Sequence, residues 1–304
     1  MDYAEARAAF FQPRAAEAPP ARTDRWTHAP GRQLRDAIEP IATICFWSEP
    51  AYLAYEHCRL DFLQGYVWGR ACVLGQPEGT VVAAAFGGFE PELIAALYDS
   101  GRAACTLSDI RTAKEAGAVT ALREVLGEPD DLGKVVGSLR RAIEEIPTLA
   151  GRPFAAGLVA LDWPDEPLGQ LWHACSVLRE YRGDGHVAAY VVAGLDGLEA
   201  NLLTELHVGW DPLSYTATRG WSAESMGAAV ARLEARGLVE DGELTAAGVT
   251  LRYGIEQTTE DLVQPVVDTL GGELPAVATT LHGWSDRIVE HGWFPPDPYK
   301  RASG

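Results

Sequence analysis

Lysine is almost missing from this chain: Lys114, Lys134 and Lys300 stand against 22 arginines and 43 acids, for a net charge of −18. A protein held to nucleic acid by phosphate contacts needs a basic face, because counterion release supplies most of its non-specific affinity. So acidic a chain disfavours both nucleic acid and anionic membranes as partners. Long apolar runs are also missing. The stretch Val81 to Phe86 is far too short to cross a bilayer. The acidic start Met1-Asp-Tyr-Ala-Glu5 has no basic region before an apolar one, so no secretion signal is expected and the chain reads as cytoplasmic. Five cysteines form no Cys-x-x-Cys pair and are odd in number, which predicts reduced, packed thiols. Seven histidines are scattered, none at ligand spacing from a cysteine or a second histidine, so no metal site is expected. The sequence has no Gly-Lys-Ser/Thr phosphate loop and no Gly-x-Ser-x-Gly elbow, and no cofactor is implied.

What is present is a composition, 47% hydrophobic and 22% charged over 304 residues, that suits one large or two modest globular units. The sequence also repeats itself. Trp47 and His57 recur as Trp163 and His173, both shifted by 116 residues, and Gly88-Phe-Glu-Pro91 recurs as Gly209-Trp-Asp-Pro212. Tyr66-Val67 returns as Tyr190-Val191, and Leu139-Arg-x-x-Ile-Glu144 as Leu251-Arg-x-x-Ile-Glu256. Self-similarity at this distance predicts two copies of one supersecondary unit. The expected organisation is a mobile arm over 1–30, a first half over 31–150, a second over 151–292 and a tail over 293–304. Periodicity places helices over Pro50–Leu74, Ser108–Leu126 (capped by Ser108), Asp131–Ile146, Pro167–Glu180, Gly197–Leu206 and Ala276–Glu290, with a further helix after Gly185.

Between Trp221 and Leu262 the pattern sharpens. Ser222 caps a helix that runs to Arg236, with Met226, Val230 and Leu233 on one face. Gly237 ends it, Leu238-Val-Glu240 reads as a strand, Asp241-Gly242 as a tight turn, and Leu244-Thr-Ala-Ala-Gly248 opens another helix. This order resembles a winged helix-turn-helix of the MarR type. Gly65-Tyr-Val-Trp-Gly-Arg-Ala71, Gly88-Phe-Glu-Pro91, Arg182-Gly-Asp-Gly-His186 with Val187-Ala-Ala189, and Gly220-Trp-Ser222 are similar to those of an actinobacterial helix-turn-helix-like family, over roughly residues 34 to 290. The resemblance implies a mainly α fold of two tandem winged-helix-like halves with short wing hairpins. It carries no activity with it. Residues 199–260 hold ten acids against four arginines, and the wing tip is Asp241-Gly-Glu243, where a groove-reading wing would be basic.

Tyr181-Arg-Gly-Asp-Gly-His186 is the densest polar cluster. Its two glycines predict a sharp turn between helices, with the amides of the second helix open to an anion. His186 would accept or donate a proton, Asp184 would orient it, and Arg182 would anchor an anion. The alternative is a capped helix junction with an Arg–Asp pair and a half-buried histidine. Tyr181, Tyr66, Trp68, Arg70 and Trp172 are candidates to line an apolar pocket around that cluster, although large aromatic rings are core residues first. His57 and His173 are read as packing residues. Three functions are consistent with these residues. The first is a repurposed winged helix that binds, with or without transforming, a small organic molecule between its halves and does not bind DNA. The second is a regulator reading DNA through the helix at 222–236, and the third is an interaction module that docks a protein partner or a second copy.

Overall fold

The computed structural model describes residues 2–11, 28–210 and 213–295. It is mainly helical. Helix α1 (Tyr3–Phe10) starts at a capping box between Asp2 and Glu5 and buries Tyr3 and Ala6. Helix α2 (Pro30–Trp47) ends at Ser48, which also caps α3 (Glu49–His57) by accepting from the Ala51 amide. The single helix expected over Pro50–Leu74 is interrupted. At Arg59 the backbone turns to φ +61, the Leu60 amide returns to the Tyr55 carbonyl, and Asp61 with Gln64 forms a capping box that starts α4 (Phe62–Ala71). An aspartate that can bond the first turn competes with helix continuation, and here it wins. Helices α5 (Gly79–Phe86), α6 (Pro91–Ala104), α7 (Leu107–Leu126) and α8 (Leu132–Glu144) follow. The cap of α7 is Thr106, whose Oγ1 accepts from the Asp109 amide, and not Ser108.

The second half runs through α9 (Pro153–Val159), α10 (Pro167–Val192), α11 (Gly197–Val208), the short α12 (Ser214–Ala217) and α13 (Ala223–Ala235). Strands β1 (Val239–Glu240) and β2 (Glu243–Leu244) then pair antiparallel before α14 (Ala246–Leu270) and α15 (Leu274–Glu290). Helix α13 is built as the sequence predicts. Ser222 caps it, Met226, Ala229 and Leu233 are buried, and Gly237 leaves it at φ +67. Asp241 and Gly242, at φ +51 and +77, make the tight hairpin turn.

Among the described residues the wing hairpin occurs once, so the second wing expected of two tandem winged halves is not formed. At the matching place in the first half, α7 passes to α8 through Gly127-Glu-Pro-Asp-Asp131. That segment has no apolar residue to bury and a proline that cannot donate to a ladder, whereas Val239 and Leu244 fold their side chains onto the core. Helix α7 also differs from α13 in being covered. It packs along α3 so closely that a Cβ on Gly117 would stand 2.6 Å from the Ala51 Cα.

One main core takes residues from Tyr3 to Phe294 and is organised around α10, which packs on α2, α7, α8, α9 and α14. A second cluster joins Tyr190 of α10 to Leu203, Met226, Leu233, Val239 and Ile255 of the winged region. Helix α10 therefore belongs to both. The expected boundary between residues 150 and 151 is followed at once by α9, whose Phe154 and Leu158 sit in the main core. Of the expected arm, residues 12–27 lie outside the described residues, as do 296–304 of the expected tail; Trp293 and Phe294 are buried. No single helix among the described residues is long and apolar enough to cross a membrane.

Candidate functional site

Between α2 and α4 on one side and α10 and α11 on the other lies a cavity of about 200 Å³. The loop Gly87–Phe89 and the segment Tyr215–Arg219 form its rim. Its wall carries Arg35, Arg70, Arg179, Arg182 and Arg219 but only two carboxylates, Glu39 and Glu180. In a chain this acidic, that inversion of charge is local and specific. The rest of the wall is largely aromatic. Tyr66 meets Phe46 edge-on at 5.1 Å between ring centroids and lies 5.9 Å from Phe89, and Tyr190 and Tyr215 close the far side.

Helix α10 supplies more of the polar groups than any other element because it is unbroken. The sharp turn expected at Gly183 and Gly185 is not formed: both glycines lie inside a 26-residue helix, so no amides are released to face an anion. Gly185 has a packing reason, since a Cβ there would come within 3.0 Å of the Arg152 Nη1. Continuity of the helix turns Arg179, Arg182, Gly183, His186 and Tyr190 onto one face, the cavity face, at spacings of three and four. Asp184, two residues from both Arg182 and His186, points elsewhere. It accepts from the Ala155 amide at 2.9 Å, capping α9 from outside, and burial lifts its carboxyl to about 7. It therefore does not orient His186, and the expected histidine–carboxylate pair is not formed. The partner of His186 is Thr259 of α14, 3.1 Å from Nδ1, and burial lowers the ring to about 3, so it is neutral at physiological pH.

Arg182 donates to Glu256 Oε2 at 3.1 Å and lies 3.5 Å from Glu260. Burial pushes Glu256 up, but Arg252 and Arg182 outweigh it and hold the carboxyl well below its usual range. Arg70, the other cation foreseen, lines the cavity with Tyr66. Its Nε and Nη2 bond Glu180 at 3.1 and 2.9 Å, while its guanidinium lies 4.7 Å from the centre of the Phe86 ring. Glu180 also takes Arg179 at 2.6 Å, and the two arginines overcome burial to hold it at about 2. Arg179 reaches on to Glu39 at 3.0 Å.

The remaining candidates are structural. Trp68 is fully buried and donates to the Cys105 carbonyl at 3.0 Å. Trp172 donates to the Ala42 carbonyl at 3.2 Å. Tyr181 is buried under the Arg152 guanidinium, 3.6 Å from the ring centre. None of these three lines the cavity. His173 is buried edge-on to Trp163, and His57 bonds its own helix at the Leu53 carbonyl. Sequence reasoning missed Arg179, Glu180 and Glu39. The signal was available for two of them, since reading 167–192 as one helix places Arg179 and Glu180 one turn before Arg182 and Gly183.

The motifs of the resemblance meet at the cavity rim. The Gly88 carbonyl accepts from Asn201 Nδ2 at 2.5 Å and from Trp221 Nε1 at 3.0 Å, and the Glu90 amide donates to the Arg219 carbonyl. Loop 87–90 and Gly220-Trp221 thus tie the two halves together beside Tyr66, Arg182 and His186. The winged region's outer surface, by contrast, carries Glu224, Glu234, Glu240, Asp241 and Glu243, all exposed. Arg232 and Arg236 are exposed on the same surface, but both are engaged along the chain. Arg232 bonds Glu199 and Asp196 at 2.8 and 2.7 Å, and Arg236 donates to the Gly194 carbonyl at 2.8 Å.

Fold and cavity together define a helix-turn-helix protein with a basic, aromatic cavity open to solvent. The chain belongs to a helix-turn-helix family, which it matches over residues 31–295. Neither a curated protein nor a solved structure matches it.

Proposed function

We propose that this protein binds a small organic molecule in the cavity between its halves and does not bind DNA. The carrying observation is the placement of charge: five arginines line one cavity of a chain with net charge −18, while Arg232 and Arg236, at the surface of the winged region, are each paired with acceptors of this chain. Mixed aromatic walls with a few convergent polar groups are the usual construction of a ligand site. A duplex approaching α13 would meet glutamates and an acidic wing tip, which repel phosphate. His186 enters this reading as a neutral hydrogen-bond partner for the ligand, without a carboxylate behind it.

Two measurements test the reading. Thermal unfolding against a broad panel of small molecules should find compounds that stabilise the full chain and lose most of that effect in His186→Ala, checked for an unchanged circular dichroism spectrum. Fluorescence anisotropy with genomic duplex fragments at about 50 mM salt should stay flat, since weak electrostatic binding is strongest there. Saturable DNA binding that charge reversal at Arg232 and Arg236 abolishes would favour the regulator instead.

A further inference from the structure

We infer that the ligand is a flat aromatic anion carrying a hydrogen-bond donor, laid against the backbone of α10 at Gly183. The inference rests on the small-molecule reading above and names the chemistry of its ligand.

Gly183 is the first observation. A glycine inside a helix costs stability relative to alanine, so it calls for a reason. Gly185 and Gly197 have one, because a Cβ on each would run into Arg152 or the Gly87 carbonyl. Gly183 has none of this kind. A Cβ there would meet only the Glu180 Oε2, at an ordinary 3.6 Å. Other helical glycines with open space, such as Gly227 and Gly283, stand exposed to solvent, whereas Gly183 is half-buried and lines the cavity. The absent side chain is therefore cavity volume, one turn from both Arg179 and His186, and it lets a planar group approach the helix closely.

The polar groups around it specify the rest. Arg70 uses Nε and Nη2 on Glu180, and Arg179 uses Nε on Glu39 and Nη1 on Glu180. This leaves Arg70 Nη1 and Arg179 Nη2 without a protein partner among the described residues, on two guanidiniums that Glu180 clamps together. Paired donors on fixed guanidiniums suit a carboxylate or sulfonate. His186 supplies a different demand. Thr259 Oγ1 gives its single proton to the Ile255 carbonyl at 2.8 Å, so it can only accept from His186, which places the ring proton on Nδ1. Nε2 then carries a lone pair and no partner among the described residues, and a hydroxyl or N–H of the ligand satisfies it. Tyr66 and Phe89 supply the faces on which an aromatic ring stacks.

The test is fluorescence titration of the full chain with 3-hydroxy-2-naphthoate, which combines two fused rings, a carboxylate and a hydroxyl. Two comparators, 2-naphthol and naphthalene-2-carboxylate, each lack one polar group. Tighter binding of the hydroxynaphthoate than of either comparator is expected, with Gly183→Leu weakening it at least about tenfold, the scale on which a filled pocket rejects a ligand. Gly183→Ala should melt no lower than the parent chain and still bind more weakly, which keeps the result clear of misfolding. Equal binding of 2-naphthol would overturn the anionic part, and unchanged binding in both Gly183 variants would overturn the seat. If compounds of another class bind in the cavity while the naphthalenes do not, this inference falls and the small-molecule reading stands. If no small molecule of any class binds, both fall.

Discussion

His186 Nδ1 lies 3.1 Å from Thr259 Oγ1, and that hydroxyl lies 2.8 Å from the Ile255 carbonyl. The relay runs one way, from ring to hydroxyl to backbone, and it fixes a neutral imidazole in the Nδ1–H tautomer. Nitrogen-15 chemical shifts of His186 should report protonated Nδ1 and bare Nε2. Thr259→Val removes the acceptor and should cost about 1–3 kcal/mol, the usual penalty for a buried donor left unpaired. Urea unfolding measures it.

Burial lowers His186 to about 3 and His173 to about 4, both from 6.5. The unfolded chain therefore takes up these protons at higher pH than the folded one. Their effect on stability is absent above about pH 6.5 and grows unfavourable as pH falls toward 4. Replacing His173 with Phe, which also suits its apolar place against Trp163, should flatten the decline in melting temperature between pH 6.5 and 4. An unchanged slope would show that His173 titrates normally.

Asp184 behaves in the opposite sense. Burial raises its carboxyl from 3.8 to about 7, so the folded chain holds a proton that the unfolded chain releases. Stability from this group is complete below about pH 3.8 and drains away as pH rises toward 7. Asp184→Asn keeps an oxygen for the Ala155 amide and removes the titration. The variant should gain melting temperature over its parent at pH 8 and lose that advantage at pH 4.5. An equal difference at both values would contradict the assignment.

Glu256 receives Arg182 and Arg252 with no exposure of its own side chain. Glu256→Gln takes from two buried guanidiniums the carboxylate they share, leaving Arg182 only Glu260 at 3.5 Å, and the expected loss is about 3–5 kcal/mol. Arg232→Ala breaks the pair with Asp196, in which both side chains are about half-exposed, and leaves the buried Glu199 with Arg236 at 3.8 Å, so it should cost no more than about 1 kcal/mol. Denaturant midpoints of the two variants give the comparison.

The winged region was legible in the sequence because its signals are local. Ser222 as cap, Met226 and Leu233 at helical spacing, Gly237 as stop and Asp241-Gly242 as turn each act on their own neighbours. The cavity was legible in part. Arg182, His186, Arg70 and Tyr66 were found, since arginine and histidine in an apolar setting draw notice. Asp184 and Trp68 were misplaced, because which face of a helix a residue occupies depends on whether the helix is continuous. Gly183 and Gly185 suggested a break, yet the helix runs through them. Its flanks bury into two cores at once, and that packing outweighs the propensity cost of two glycines. Arg179 and Glu180 were missed for the same reason. Glu39 comes from α2, far off in sequence, and no local pattern could have joined it to α10.

Native mass spectrometry of the full chain, after exchange against the small-molecule fraction of a cell extract, tests the central claim most directly. The account predicts one anionic organic molecule held per chain and its loss in Gly183→Leu, with no duplex DNA retained by either protein. A chain that retains DNA and no small molecule, or an adduct that persists undiminished when the cavity is filled at Gly183, would contradict it.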